Sequence, residues 1–385
     1  MPTTVARLDY PQFRFRQKEL ALILSCWRDG QSVLLTGIRR TGKSRLVKAA
    51  LVKYAQAGGQ IGFFDAEDCA SLHDFYRAIL SEMPKSLLIE IGDHLKSLKT
   101  VPDRLLNWIR SHVAKVEILE QSIELQPTES LHRYWQPIVD ALEVVLARHP
   151  ANELPVLGID ELPFMLENLI RAGVPDGELV LAMASLRKLR DAGLRMIIAG
   201  SISMENLLTL HGIPHTVLGG LLRVPVPPFS KPEAAQYLGE RLAGKPAGAK
   251  KAIALSLKTL PDYVPEFLNI AVQHLQLAVD EKQCAASFKD DIFPAIRRSF
   301  LTQFDERLVK NYPGPQLPIA EEILDRIAKA DDAGTLIDSS TLPDGHRQVK
   351  QMLQYDNFII EGTEFRWQFC LNLLRQWWRS QRGIL

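Results

Sequence analysis

The stretch SVLLTGIRRTGKSRLVKAALVKYAQAGG, residues 32–59, determines the fold class of this chain. It opens with SVLLT, a short apolar run bounded by turn residues, which predicts a strand buried on both faces. The next residues, GIRRTGKS at 37–44, match the pattern G-x-x-x-x-G-K-[ST] at every fixed position. A helix is expected from about Gly42 to Ala57, where a glycine pair ends it. A buried strand, a glycine-containing loop and a helix in this order predict a phosphate-binding loop.

The residue types in this loop suit a nucleoside triphosphate. Glycine lets backbone N–H groups surround phosphate oxygens without interference from a Cβ atom, and the start of the following helix adds partial positive charge. Lys43 is placed to reach the β- and γ-phosphates, and Ser44 to hold Mg²⁺. The residues expected to contact the nucleotide here are Gly37, Ile38, Arg39, Arg40, Thr41, Gly42, Lys43, Ser44 and Arg45.

A second motif, VLGIDEL at 156–162, places two acids at the end of an apolar run. An ATPase needs such acids opposite its phosphate-binding loop. Asp160 would coordinate Mg²⁺ directly or form a hydrogen bond to one of the ion's ligands. Glu161 would orient and deprotonate the attacking water, as a catalytic residue beside Lys43. The alternative for Glu161 is an ordinary surface carboxylate.

A third motif, MIIAGSIS at 196–203, predicts a buried strand that ends at a glycine and a serine. Ser201 would deliver a hydroxyl near the γ-phosphate, which gives it a catalytic role. The alternative is that Ser201 or Ser203 caps the helix that follows.

Three arginines, Arg187, Arg190 and Arg195, come just before or at the start of this strand. A cation on the developing charge assists phosphoryl transfer, so a neighbouring subunit would be able to use one of them. Solvated surface charge is the preferred interpretation of all three.

Strand and helix signals alternate as far as residue 229. The strands predicted after the first are 61–68, 154–160, 194–200 and one within 221–229. This alternation predicts an α/β fold, a parallel sheet of the P-loop NTPase kind with helices on both faces, in a core of residues 1–229. The stretch 70–149 is too long for one crossover and is interpreted as an insertion of several helices.

Helical patterns dominate residues 230–310 and predict an all-α domain. The segment NYPGP, 311–315, is the clearest linker. In 316–385, two helices, a two-stranded wing and a last helix follow in winged-helix order, which predicts a small third domain. Its aromatic residues are interpreted as core because of their spacing with Leu371 and Leu374, although aromatic and basic residues together also suit nucleic acid. The aromatic residues meant are Phe365, Trp367, Trp377 and Trp378.

Composition restricts the function classes. The chain has 385 residues, 46% hydrophobic and 24% charged, with a formal net charge of +1, which argues against a protein that coats nucleic acid over its whole surface. Residues 1–60 hold eleven Lys and Arg against three Asp and Glu, and this excess suits either a triphosphate or a longer polyanion. No cysteine spacing indicates a disulfide framework or zinc site. Without a signal peptide or an apolar run of about 18 residues, a cytoplasmic protein without a membrane anchor is expected.

Six segments fall in an order typical of one known group of proteins. They are FRFRQKELALIL, SVLLTGIRRTGKSRLV, GFFDAED, LPVLGIDEL, RMIIAGSIS and EFRWQFCLNLLRQWW. Together they resemble the archaeal-type ATPases of the STAND group, relatives of AAA+ proteins, and the double arginine in the phosphate-binding loop is the most telling detail. The resemblance covers almost the whole chain. It implies an ATPase core, a helical lid at 230–310 and a C-terminal winged helix.

The resemblance also implies ligands and partners. Phe13 and Arg16 match a leading F-x-x-R-x-x-E-L box that lies near the adenine in such proteins. Pro265 matches the proline of a G-x-P lid motif whose glycine is missing here. ATP, ADP and Mg²⁺ are the implied ligands, and slow hydrolysis would drive a switch that self-associates or binds a partner protein. The alternative is a DNA-binding AAA+-like ATPase of the origin-recognition or transposition-helper type, which would use the winged helix.

Overall fold

The computed structural model describes most of the chain in two compact units. The described residues are Leu8, 14–98, Leu106, Ile109, 130–150, 153–244, 249–276, 280–330, 334–337 and 344–384. The first unit comprises Met1–Thr36 and Lys43–Val226, and the second comprises Gly37–Gly42 and Pro227–Leu385. The six loop residues therefore group with the C-terminal unit, although they connect a strand and a helix of the first. The division into domains at 1–229, 230–310 and 316–385 stays a prediction.

A five-stranded parallel sheet forms the centre of the first unit. Its strands are β1 Ser32–Thr36, β2 Ile61–Asp65, β3 Val156–Asp160, β4 Arg195–Ile198 and β5 Leu221–Pro225. They lie in the order β2-β3-β4-β1-β5, and every neighbouring pair is parallel. The predicted α/β class is confirmed. All residues of β3 and β4 are buried, which explains why these strands are continuous apolar runs in the sequence.

Helices cover both faces of this sheet. They are α1 Gln17–Arg28, α2 Lys43–Gln56, α3 Leu72–Ser81, α4 Lys85–Leu98, α5 Ser130–Leu146, α6 Leu162–Arg171, α7 Asp176–Asp191 and α8 Met204–Leu210. Side chains alternate across a strand, so Val33 and Leu35 join one hydrophobic cluster with α1 and α2, while Leu34 joins the other with α3–α7. Helices α3, α4 and α5 belong to the predicted insertion. None of the described helices is long and apolar enough to span a lipid bilayer.

The second unit begins with helices alone. They are α9 Lys231–Arg241, α10 Ala249–Thr259, α11 Pro265–Leu275, α12 Glu281–Ser287, α13 Phe293–Ile296 and α14 Thr302–Asn311, and π-helical segments flank α13 at Phe288–Ile292 and Arg297–Leu301. The first of them, α9, starts with a capping box in which the side chains of Ser230 and Glu233 each accept a hydrogen bond from the other residue's backbone N–H. Within the described residues, 230–310 is helical as predicted.

The chain ends with helices around a small antiparallel sheet. The elements are α15 Gln316–Lys329, β6 Thr335–Leu336, α16 Asp344–Tyr355, β7 Ile359–Glu361, β8 Arg366–Phe369 and α17 Asn372–Arg382. The sheet has three strands in the order β6-β8-β7, whereas the sequence predicted two. The predicted linker is a tight connection, because Tyr312 is fully buried and its hydroxyl donates to Asp356 at 3.1 Å.

Two predictions about exposure are wrong. Arg190 and Arg195 are not surface charges. Both are buried, and their guanidinium groups donate to backbone carbonyls, Arg195 to those of Trp27 and Leu154 at 3.0 and 2.6 Å. Phe365 is not core, since 79% of it is exposed, whereas Trp367 is buried as predicted. Phe365 lies in the turn between β7 and β8, where its positive φ of 58° directs the side chain towards solvent.

Candidate functional site

The loop 37–42 has the backbone of an anion-binding concavity. Gly37, Arg40 and Gly42 have positive φ angles of 130°, 67° and 91°. Alternation of left-handed and ordinary residues turns successive N–H groups towards one side of a loop, where they can surround an anion. The hydroxyl of the buried Thr41 donates to the carbonyl of Ile38 at 2.9 Å and closes the loop on itself. Phosphate contact by these residues stays a prediction.

The first residues of α2 continue from this loop. Lys43 is buried, Ser44 is half-buried, and Arg45 is exposed. They occupy the first turn of α2, where the unpaired backbone N–H groups and the helix dipole favour a negative ligand. Contact of Lys43 and Ser44 with phosphate and Mg²⁺ stays a prediction. Nothing in the structure assigns the exposed side chain of Arg45 to a ligand.

Close packing of α2 on β3 brings Ser44 to Asp160. The strand has a glycine, Gly158, at the point of contact, where an added Cβ would lie 2.6 Å from Cδ1 of Leu51 and 3.3 Å from Val47. A side chain at this position would force Leu51 or the helix itself to shift. At the carboxyl end of β3, the Ser44 hydroxyl donates to the Asp160 carboxylate. The two residues predicted to hold Mg²⁺ are therefore in direct contact.

Asp160 lies in a concentration of negative charge. It is 3% exposed, and its Cα partner on β2 is Asp65. Burial raises the pKa of Asp160 to about 6, the hydrogen bond from Ser44 opposes this, and the charges of Glu161 and Asp65 add to it. Burial also raises the pKa of Asp65. A cation bound here would offset both the cost of burying the charged carboxylate and its repulsion by the neighbouring acids.

These residues fit Mg²⁺ with a nucleotide better than a metal held by protein alone. Among the described residues, no group of three or more His, Cys, Asp and Glu side chains is arranged to hold a metal ion. Mg²⁺ commonly takes one or two protein oxygens and completes its six ligands with phosphates and water. Ser44 and Asp160 supply that number of oxygens. Their role as metal ligands stays a prediction.

Glu161 is held by the third motif. It has a positive φ of 50°, a strained conformation for a residue other than glycine, and it directly precedes α6. Its Oε2 accepts hydrogen bonds from the backbone N–H of Ser201 at 2.9 Å and from the Ser201 hydroxyl at 2.8 Å. Ser203 is the residue that caps α8, through the N–H of Asn206. Ser203, and not Ser201, is therefore the N-cap residue of α8, while Ser201 contacts the candidate base Glu161.

Of the three residues that the resemblance assigns to nucleotide binding, the structure describes two, Arg16 and Pro265. Phe13 lies outside the described residues. Arg16 is 2% exposed, has a positive φ of 56° and pairs with Glu19 at 3.6 Å, so it is built into the start of α1. Pro265 is the first residue of α11 in the second unit. Adenine contact by these three stays a prediction.

Two further features were not predicted from the sequence. Asp65 joins the acidic group at the sheet edge, and the acidic end of the segment 61–68 was the signal for it. Within the second unit, both loop arginines contact helices: Arg39 donates to Gln303 at 3.4 Å, and Arg40 lies 3.6 Å from Glu266. No local pattern indicates these partners, because they lie far along the chain.

Neither a protein-family model nor a curated protein matches the chain. Several solved structures are similar to it. ORC2 of Aeropyrum pernix in ADPNP–ADP complexes shares 12% identity over 97% of each chain, with a TM-score of 0.49. AMPPCP-bound DnaA of Aquifex aeolicus shares 12% over 91% of this chain and 80% of its own, with a TM-score of 0.35. Drosophila ORC bound to poly(dA/dT) DNA and Cdc6 shares 14% over 93% and 60%, with a TM-score of 0.30. At such values the likeness does not assign a function, which has to come from the chain's own residues.

Proposed function

We propose that this chain binds ATP with Mg²⁺ and hydrolyses it slowly. The observation that carries the proposal is the hydrogen bond from Ser44 to the buried Asp160, directly after a loop with three left-handed residues. A serine after the loop lysine and an aspartate at the end of another strand of the sheet are the two protein ligands that P-loop NTPases use for Mg²⁺. Here packing around Gly158 brings them together.

Each residue has a task in this proposal. The N–H groups of the loop and the Lys43 ammonium bind the phosphate oxygens, and Ser44 with Asp160 holds the cation. Mg²⁺ bound there would neutralise charge on the β- and γ-phosphates. Glu161 orients the attacking water and takes its proton. Because Ser201 occupies Oε2 of Glu161 with two donors, the base must first be released or turned. This accounts for slow turnover.

Two variants test the proposal. Lys43→Ala should abolish ATP binding, measured by calorimetry, with an unchanged circular dichroism spectrum. Lys53→Ala, at an exposed lysine in the last turn of the same helix, is the matched control and should bind like the original chain. Glu161→Gln should retain ATP binding and lose phosphate release by at least about 100-fold, as expected when a general base is removed. Unchanged affinity in Lys43→Ala would overturn the assignment.

We infer that hydrolysis serves a STAND-like regulatory switch, which changes a protein partner or self-association. The contacts of Arg39 and Arg40 with Gln303 and Glu266 support this, because they hold the loop against helices of the unit to which it belongs. Size measurement by light scattering, with and without a slowly hydrolysed ATP analogue, tests it. The same mass and shape in both states, with and without a candidate partner, would count against a switch.

A DNA-binding ATPase is the second candidate. The predicted winged helix supports it, because α15 and α16 are followed by β7 and β8 with the exposed Phe365 in the turn between these two strands. A salt series on duplex DNA distinguishes the two. Contacts to several phosphates make affinity fall steeply between about 50 and 200 mM salt. An absence of binding at the low end of that range would remove this candidate.

A further inference from the structure

Both arginines of the phosphate loop contact helices of the second unit. The Arg40 guanidinium lies 3.6 Å from the carboxylate of Glu266, in the first turn of α11, and the two side chains are 34% and 37% exposed. Arg39 donates to Gln303 of α14 at 3.4 Å. An ion pair with this exposure contributes little to stability. It can therefore exchange partners easily, and a bound triphosphate would compete with Glu266 for Arg40.

The turn that precedes Glu266 holds the last helix of the chain. Asp262 accepts hydrogen bonds from the backbone N–H groups of Asn372 and Leu373 at 3.0 and 2.8 Å. These are the first two residues of α17, whose N-cap residue, Leu371, makes no side-chain cap of its own. A carboxylate at this end satisfies unpaired N–H groups and opposes the helix dipole. Asp262 thus caps a helix that begins 110 residues further along the chain.

The residues between these two contacts are firmly held. The Tyr263 hydroxyl donates to the carbonyl of Leu257 at 2.7 Å, and the backbone carbonyl of Tyr263 accepts from the N–H of Phe229 at 2.9 Å. Val264 is fully buried, and Pro265 restricts the backbone at the start of α11. These contacts join the segment, Phe229 and Leu257 into one connected piece of the second unit. Displacement of Glu266 at one end would therefore displace Asp262 at the other.

We propose that the segment Asp262–Glu266 transmits the occupancy of the phosphate loop to the N-terminus of α17. A nucleoside triphosphate draws Arg40 away from Glu266, and the segment shifts under the first turn of α17. This inference rests on the proposed ATP binding. It assigns the loop arginines a positioning task, and it gives the C-terminal helix a means to respond to nucleotide.

Hydrogen exchange at the amides of Asn372 and Leu373 tests the inference in the whole chain. In the original chain, a slowly hydrolysed ATP analogue should change their exchange rates at least about threefold. Glu266→Ala should abolish this response and keep ATP affinity within about threefold. Glu306→Ala, at an exposed glutamate of α14, is the control and should respond like the original.

A charge exchange gives a second, independent arm. Arg40→Glu and Glu266→Arg should each lose the response. The double variant can form the ion pair with reversed charges but should not regain the response, because a triphosphate does not attract a carboxylate at position 40, whereas a purely structural role of the pair would be restored. A full response in Glu266→Ala, or no response in a chain that binds the analogue, would overturn the inference. Failure of the original chain to bind the analogue, measured in the same samples, would instead overturn the proposed function and this inference with it.

Discussion

The carboxylate of Glu161 accepts two hydrogen bonds from Ser201, one from the backbone N–H at 2.9 Å and one from the hydroxyl at 2.8 Å. Both end on the same oxygen, Oε2. The pair joins the end of β3 to the segment after β4, two strands that are neighbours in the sheet. The candidate base is therefore held in position before any water is presented to it.

Replacement of Ser201 by alanine should accelerate hydrolysis. The change removes the hydroxyl donor and keeps the N–H donor, so Glu161 is released more readily to orient water. A hydrogen bond to a charged group contributes about 1.5–3 kcal/mol, which corresponds to a rise in kcat of about tenfold or more. Steady-state phosphate release measures it. Ser201→Thr retains the hydroxyl and should resemble the original. A fall in kcat would favour the γ-phosphate contact predicted from the sequence.

Asp160→Asn should stabilise the nucleotide-free protein at pH 8 but not at pH 4. Burial raises the pKa of Asp160 to about 6, from about 4 in an unfolded chain. A raised pKa favours the folded state at pH values below both, and this contribution is lost as the pH rises through 6. Two pKa units correspond to about 3 kcal/mol as an upper value.

Chemical denaturation in the presence of a chelator measures this difference. The free energy of unfolding of Asp160→Asn should exceed that of the original chain at pH 8, and the two should converge between about pH 6 and 4. A difference that is independent of pH would show that packing, not ionisation, distinguishes the two side chains.

Gly158→Ala should destabilise the first unit and weaken nucleotide binding. The added methyl would lie 2.6 Å from Cδ1 of the fully buried Leu51 and 3.3 Å from Val47, two side chains of α2, and we expect α2 to move away from β3. Overpacking of this kind costs about 1–3 kcal/mol. Because the same movement separates Ser44 from Asp160, ATP affinity measured with Mg²⁺ should fall as well.

Gly177→Ala is the matched control for this change. Gly177 lies in the first turn of α7, and an added Cβ would meet nothing within 4 Å. Alanine is favoured over glycine in a helix by up to about 1 kcal/mol, so the control should be slightly stabilised. Equal effects of the two substitutions on the free energy of unfolding would disprove the close contact between α2 and β3.

Arg195→Ala should act through stability and not through a neighbouring subunit's site. The guanidinium is buried, donates to two backbone carbonyls and lies 5.3 Å from the ring centroid of Tyr54. Its removal takes a donor from both carbonyls; that of Trp27 keeps the N–H of Gly30 at 3.3 Å, so a cost of about 1–3 kcal/mol is expected for the Leu154 carbonyl. Thermal or chemical unfolding measures the loss. Arg187→Ala, with a side chain 45% exposed, should change stability by less than about 0.5 kcal/mol. Unchanged stability together with impaired turnover in Arg195→Ala would contradict this prediction and support a catalytic role for the arginine.

Local patterns in the sequence predicted most of the fold. The boundaries of β1 were predicted to the residue and those of α2 to within one residue, because a buried strand leaves a continuous apolar run and a glycine pair marks the end of the helix. Strand β6 was missed because it has two residues, too few to show any period. The burial of Arg190 and Arg195 was also missed, since the carbonyls that bind them come from other parts of the chain.

The sequence by itself determined the phosphate loop, its helix and the acidic strand end. These features depend on contacts and backbone angles within a few consecutive residues, as in the hydrogen bond from Thr41 to Ile38. The tertiary structure alone decided which distant groups meet there. Ser201 reaches Glu161 across 40 residues, and Asp262 reaches Leu373 across 111. Such pairs form because sheet order and helix packing bring their elements together, and no local period records a partner so far away.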